Sequence, residues 1–283
     1  MIYISSSCIN SDTIQNSVRT LALEGYRNIE LSGGTKYYND FIRDLSVLKE
    51  EFNLNYRVHN YFPPPERDFI LNLASLDEKV FSSSFEHLKK SLNYTRKFGE
   101  KKFSFHAGFF VDRPVCELGK TFGQVDLYDK EMSINKFCNS FELLRQNFDD
   151  IKLYIENNCY SRSNFLNYGK NIPFMLLSFK DYQSLKKKIN FNLLLDIGHL
   201  QVSAKTLGLD FERELNELFK ESDYIHISNN DALHDQNLGV IKNSNLVKKI
   251  ENLDWANKTV TLEVYEGLDA LKETYNTISS FFV

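Results

Sequence analysis

Eight short apolar runs, each followed by a stretch with helical periodicity, dominate this 283-residue chain and restrict the folds open to it. The runs span 2–7, 28–32, 55–60, 102–106, 152–156, 192–196, 223–227 and 259–264. Between and after them, apolar residues recur three or four apart in Thr13–Leu23, Phe41–Phe52, Phe85–Phe98, Ile134–Phe148, Tyr182–Lys188, Phe211–Phe219, Leu246–Leu253 and Leu268–Phe281. Alternating strand and helix patterns build βαβ units and a parallel sheet. Eight such units in a chain of this length predict an α/β fold, a single (β/α)8 TIM barrel over 1–283. Length alone would suggest two domains, but barrels of this kind commonly fill such a length as one. An open doubly wound sheet would need a glycine-rich phosphate loop after its first strand. The first turn here reads Ser5-Ser6-Ser7-Cys8-Ile9-Asn10, and neither GxGxxG nor a P-loop occurs anywhere.

Composition narrows the class of partner. A hydrophobic fraction of 42%, with 23 Phe, is ample for a large core, and the net charge of −4 supplies no basic stripe for nucleic acid. The run Lys186-Lys187-Lys188 follows a helical stretch and reads as its solvated end. Four scattered cysteines without a CxxC pair suggest free thiols and a reducing compartment. No stretch approaches the roughly 18 apolar residues of a membrane span, and the N-terminus has no cationic leader. A cytoplasmic protein engaging neither nucleic acid nor membrane is expected, and a homo-oligomer is compatible with this reading.

The strand ends carry the chemistry. His59, His106, Glu156, Asp196, His226 and Glu263 each stand where an apolar run gives way to a loop. In a (β/α)8 barrel those ends converge on one face, where active sites lie. Three carboxylates and an imidazole (Glu156, Asp196, His226, Glu263) form a donor set for a divalent ion such as Mn²⁺, Co²⁺, Zn²⁺ or Mg²⁺, with ligand type unable to choose among them. His199 follows Asp196 by three residues and reaches the same pocket; His59 and His106 are placed to hold a second ion bridged by Glu156 or to bond substrate hydroxyls. Glu30 ends the second run and is read as a pocket residue, as is His234 after the seventh, with Asp235 beside it. Each residue alone has a structural explanation: Asp196 could cap a turn, and His226 could be a hydrogen-bonded core imidazole. Their joint placement at strand ends is what points to a site. His87, in the third helical stretch, is expected at the surface, and Cys159 is expected to be a plain thiol.

Two longer segments, about 107–133 and 157–181, follow strand ends and are expected to overhang the active face as substrate walls. Lys36, Arg67, Arg113 and Arg162 lie in loops predicted on that face and could meet a phosphate, although no phosphate motif accompanies them.

The segments Gly25-Tyr-Arg-Asn-Ile-Glu30-Leu, Phe105-His106, Ile155-Glu156-Asn157, Asp196-Ile-Gly-His199, Ile225-His226-Ile-Ser-Asn and Leu262-Glu263 together resemble the xylose isomerase-like barrel superfamily over nearly the whole chain. That superfamily includes endonuclease IV, ketose 3-epimerases, hydroxypyruvate isomerase and inosose dehydratase. The resemblance implies that Glu156, Asp196, His226 and Glu263 hold the metal and that Glu156 and Glu263 double as acid and base. His199 would contact substrate beside them. It implies an isomerase or epimerase of a small sugar or sugar derivative, removing a proton α to a metal-bound carbonyl by way of an enediolate. Endonuclease IV adds the positions of His59 and His106, which implies an alternative, a zinc phosphodiesterase on abasic DNA. Its Asp-x-His element is missing from the stretch before Leu238-Gly239, which reads Leu233-His234-Asp235-Gln236-Asn237. The arginine that ketose 3-epimerases carry shortly after the seventh-strand histidine is also missing after His226. A barrel that binds a metabolite without catalysis is the remaining alternative.

Overall fold

The computed structural model describes residues 1–117 and 119–282; Leu118, inside the first long segment, and Val283 lie outside the described residues. The eight runs form parallel strands β1 (Ile2–Ser5), β2 (Asn28–Leu31), β3 (Asn55–His59), β4 (Lys102–His106), β5 (Lys152–Glu156), β6 (Asn192–Asp196), β7 (Tyr224–Ile227) and β8 (Thr259–Leu262). They pair in sequence order, and β8 closes onto β1. The fold is a (β/α)8 TIM barrel.

The helices are α1 (Ile14–Leu23), α2 (Phe41–Phe52), α3 (Glu78–Phe98), α4 (Lys130–Asn147), α5 (Arg162–Tyr168), α6 (Phe179–Lys186), α7 (Ile197–Leu207), α8 (Phe211–Glu221), α9 (Asn245–Ile250) and α10 (Leu268–Ser279). Their starts follow local chemistry. Thr13, Asp77, Asp129, Ser178 and Asp210 each accept backbone N–H bonds at a helix N-terminus that would otherwise lack partners. The helices cover the barrel with Leu21, Leu45, Leu88, Phe141, Leu215 and Leu271, all at most 1% exposed. Burying each such side chain is worth about 1.5–3 kcal/mol.

Three features differ from the sequence expectation. α3 begins seven residues earlier than its apolar stripe, because Asp77 caps it at Lys79 and Val80. α5 and α7 carry no periodic stripe in the sequence; α7 starts directly from the last residue of β6. His87 is buried, not at the surface: its ring lies 5.2 Å from Phe69 and 6.5 Å from Tyr61, which fold down from the loop after β3.

The two long segments close over the barrel mouth as one layer. An isolated antiparallel bridge joins Phe109 to Phe174, and Phe110 N donates to Pro173 O at 2.8 Å. Ile70, Phe109, Val111, Phe122, Tyr160 and Phe174 give this layer a small apolar core separate from the barrel's own. A carboxylate network anchors it: Asp112 accepts from Tyr128 Oη at 2.7 Å, from Asn72 Nδ2 at 2.7 Å and from the Ser75 hydroxyl at 2.5 Å. Among the described residues no helix is long and apolar enough to cross a membrane.

Candidate metal centre

The C-terminal ends of β3 to β8 bring His59, His106, Glu156, Asp196, His226 and Glu263 together. Register explains the convergence: His106 pairs with Glu156 across β4 and β5, and Asp196 with His226 across β6 and β7. Glu263 follows β8 directly and is tied to the neighbouring β7 by its N–H, which donates to Ile227 O at 3.1 Å.

Donor atoms of Asp196, His226 and Glu263 lie within 4.8 Å of one another. The same holds for Glu156, Asp196 and His199, and for His59, His106 and Glu156. Glu156 is central. Its Oε1 stands 3.6 Å from both His226 Nδ1 and His199 Nδ1, while its Oε2 stands 3.2 Å from His59 Nε2 and 3.4 Å from His106 Nδ1. His226 Nδ1 also faces Glu263 Oε2 at 3.7 Å. Glu156, Asp196 and His226 are at most 1% exposed, and Glu263 8%.

Such burial makes hydrogen-bond accounting informative, because buried polar atoms are nearly always paired. Glu156 Oε2, Asp196 Oδ2, His226 Nδ1 and His106 Nδ1 are buried with no hydrogen-bond partner among the described residues. Four unpaired atoms of acceptor and imidazole type, turned towards one another, are what a divalent cation satisfies. The residues therefore fit a metal, with donors suited to Mn²⁺, Co²⁺, Zn²⁺ or Mg²⁺.

Without a cation the charges act on one another. Burial pushes the Glu156 carboxyl up to about 7, against the pull of His226 and His199. Burial also raises Asp196, which His199 and His226 pull the other way. For Glu263, burial is outweighed by His226, His59 and His199, and its carboxyl falls to about 2. Burial opposes charge on His226, yet Glu30, Glu263 and Glu156 together hold it well above the ordinary imidazole range. Burial and the neighbouring His226 push His59 down to about 3.

Asp196 is a helix cap with an oxygen to spare. Its Oδ1 accepts from His199 N at 2.6 Å, opening α7, while Oδ2 remains free for the centre. Asn157, which enters the sequence argument only as part of a resemblance, clamps this carboxylate's backbone: its Oδ1 accepts from Asp196 N at 2.8 Å and its Nδ2 donates to Asp196 O at 3.0 Å. Its own carbonyl receives His199 Nδ1 at 2.9 Å, and His199 Nε2 then faces Asp235 Oδ2 at 3.4 Å. The Glu-Asn pair ending β5 is the only sequence signal for this clamp.

His106 and His199 line a cavity of about 280 Å³ that opens outward from the centre. Tyr61, Leu71, Phe109, Phe122 and Phe174 supply its apolar wall; Asn60, Asn158, Asp235 and His234 supply polar groups. His234 sits at the outer end, with Nδ1 2.9 Å from Asp231 Oδ2 and about half its side chain exposed. Glu30 does not reach the cavity. It is fully buried behind His226, with Oε1 2.9 Å from Nε2. Of the basic residues considered for phosphate, Lys36 pairs with Asp12 at 2.7 Å, Arg113 pairs with Glu117 at 2.8 Å and Arg162 lies over the Phe165 ring. The cationic side chain that does line the cavity is Lys120.

Fold and site together define a (β/α)8 barrel whose mouth carries a buried cluster of carboxylates and imidazoles suited to a divalent cation. The chain belongs to the xylose isomerase-like TIM barrel family, whose model matches residues 18–280. Its fold is similar to that of a D-tagatose 3-epimerase-like protein, with 14% identity, TM-score 0.72, and 99% of this chain and 96% of that one covered. A 3-keto-D-glucoside 4-epimerase from E. coli matches at 12% identity and TM-score 0.66, with 99% and 98% covered. Endonuclease IV from Thermus thermophilus matches at 12% identity and TM-score 0.61, again with 99% and 98% covered. At these identities the likeness speaks to the fold. A comparison with curated proteins returned no match.

Proposed function

We propose that this protein is a metal-dependent isomerase or epimerase of a small sugar or sugar derivative. The observation that carries the proposal is the set of unpaired, buried donor atoms on Glu156, Asp196 and His226, joined by Glu263, at one end of the barrel. Those four residues would hold the cation, which when bound supplies Lewis acidity for polarising a carbonyl and acidifying the adjacent C–H.

The protein's own groups account for the proton. Glu156 and Glu263 come from β5 and from the end of β8 and both face His226 Nδ1. One takes the proton next to the carbonyl; the other returns one to the resulting enediolate. His199, fixed between Asn157 O and Asp235, packs its ring against the substrate, and His106 beside it on the cavity wall is placed to bond a substrate hydroxyl. The cavity, just below the usual range for such sites, suits one small ligand.

The test is incubation of the purified protein with a ketose panel in D₂O and Mn²⁺, following deuterium uptake at carbon by NMR. Positioned acids and bases contribute about 10²–10⁴-fold each, so Glu156→Gln and Glu263→Gln should each remove nearly all exchange. Undiminished exchange in the double variant refutes the proposal.

A second reading, a zinc phosphodiesterase on abasic DNA, draws on the grouping of His59 and His106 with Glu156. It requires several zinc ions per chain and salt-sensitive DNA binding. One ion or fewer by elemental analysis, with no nicking of abasic duplex, ends it.

A further inference from the structure

Glu30 presents a problem that the proposed chemistry does not use. It lies in β2 beside Arg57 of β3, two residues below the level of His59, and is completely buried. Burying a carboxylate is costly unless it is paired. Its neighbours are specific: Oε2 accepts from Thr261 Oγ1 at 3.1 Å, Oε1 lies 2.9 Å from His226 Nε2, and donor atoms of Glu30, His59 and His226 lie within 4.8 Å of one another. Both Glu30 Oε1 and His226 Nε2 are buried and make no hydrogen bond among the described residues, so what joins them is a close charge contact without hydrogen-bond alignment.

The two ring nitrogens of an imidazole point away from each other. With Nε2 against Glu30, His226 turns Nδ1 towards Glu156 and Glu263. A carboxylate behind a metal-binding imidazole orients the ring, keeps the proton on the far nitrogen and makes the near one a better donor. We infer that Glu30 is a positioning residue: from behind the ring, and braced by Thr261, it holds His226 with Nδ1 facing the centre and strengthens that nitrogen as a cation donor. This rests on the cation site proposed above. Glu30 touches neither substrate nor the cavity.

The experiment measures Mn²⁺ affinity by calorimetry, ions bound per chain at saturation, and the visible spectrum of the Co²⁺-loaded protein, for wild type, Glu30→Gln, Glu30→Asp and Thr261→Val. Loss of such a partner costs about 10–100-fold in metal affinity. Glu30→Gln should therefore bind Mn²⁺ about that much more weakly, shift the Co²⁺ spectrum and keep the wild-type number of ions. Its cation-free melting temperature should stay close to wild type, which separates positioning from a structural role. Glu30→Asp should regain part of the affinity, and Thr261→Val should lose a smaller factor because the charge stays while its brace is gone. Wild-type affinity and spectrum in Glu30→Gln overturn the inference while leaving the cation site standing. Fewer ions at saturation also overturn it, by making Glu30 a ligand. A wild-type protein that takes up neither Mn²⁺ nor Co²⁺ overturns the site and this inference together. Should Glu30→Gln fail to fold, Thr261→Val decides, with unchanged affinity and spectrum counting against it.

Discussion

Replacing Asp196 by Asn separates the two jobs this residue holds. The cap of α7 needs only an oxygen acceptor, and Asn caps about as well as Asp. The amide oxygen of the variant can keep the bond that Asp196 Oδ1 accepts from His199 N at 2.6 Å. The unpaired Oδ2, in contrast, becomes an NH₂ group with no lone pair to offer a cation. Burial works against the Asp196 charge and outweighs the pull of His199 and His226, so the cation-free variant should melt at or slightly above the wild-type temperature. The wild type should gain about 2.7 kcal/mol from a cation at one hundred times its Kd. At roughly 2–4 °C per kcal/mol for a domain of this size, that is about 5–10 °C. If the variant binds about 100-fold more weakly, the same cation concentration gives roughly 0.4 kcal/mol, or about 1 °C. Differential scanning calorimetry after EDTA treatment, with and without Mn²⁺, reads both quantities. Asp196→Ala is the control, expected to lose about 1 kcal/mol of cap stability even without cation. A full cation shift retained in Asp196→Asn would refute the reasoning, as would a wild type indifferent to Mn²⁺, Co²⁺, Zn²⁺ and Mg²⁺.

Three further outcomes are expected. Burial, with a smaller contribution from Lys90, holds the His87 imidazole down to about 4, below its ordinary value of about 6.5. The unfolded chain therefore takes up the proton first: stability from this residue is complete above about pH 6.5 and is lost as pH falls towards about 4, by up to about 3 kcal/mol. Urea unfolding of wild type and His87→Phe across that window should show the variant with the flatter pH dependence, and identical slopes would count against it. In Gly198→Ala, the new Cβ would meet Ser228 Oγ at 2.5 Å and Asp196 Oδ1 at 3.2 Å. Displacing that carboxylate should weaken cation binding at least tenfold at a stability loss of about 1–3 kcal/mol, and calorimetric titration with Mn²⁺ checks it. Phe174→Ala opens the core of the layer over the mouth, with an expected loss of about 3–5 kcal/mol. Limited proteolysis should then cut within 107–133 or 157–181, and resistance equal to wild type would mean that the layer does not depend on this ring.

The barrel is legible in the sequence because its strands read as short apolar runs, buried almost throughout, while most of its helices show contrasting faces, and a helix becomes unreadable where that contrast vanishes. Ile197, Gly198, Leu200, Val202, Ser203 and Ala204 of α7 are all buried, so no polar stripe marks the helix. α3 hides its first turns for the opposite reason, since Glu78-Lys-Val-Phe-Ser-Ser-Ser carries little apolar period and its start is set by the Asp77 cap. His87 misleads because a helix facing the barrel with Leu88 and Leu92 also faces the folded-back loop at Phe69 and Tyr61. At the site, the sequence reveals which residues end strands but not how high each stands along the barrel axis, because depth is set by register. Glu30 and Glu263 look alike as acidic residues ending apolar runs. Register puts Glu30 level with Arg57 inside the barrel, while Glu263 stands two residues beyond Thr261, which is level with His226. One carboxylate thereby ends behind the imidazole and the other in front of it. The same limit applies to Asp196, where cap and donor look like competing explanations. A carboxylate has two oxygens, and here the first closes the helix while the second is left without a partner and facing the cluster, so in the function proposed here the structural role is what aims the chemical one.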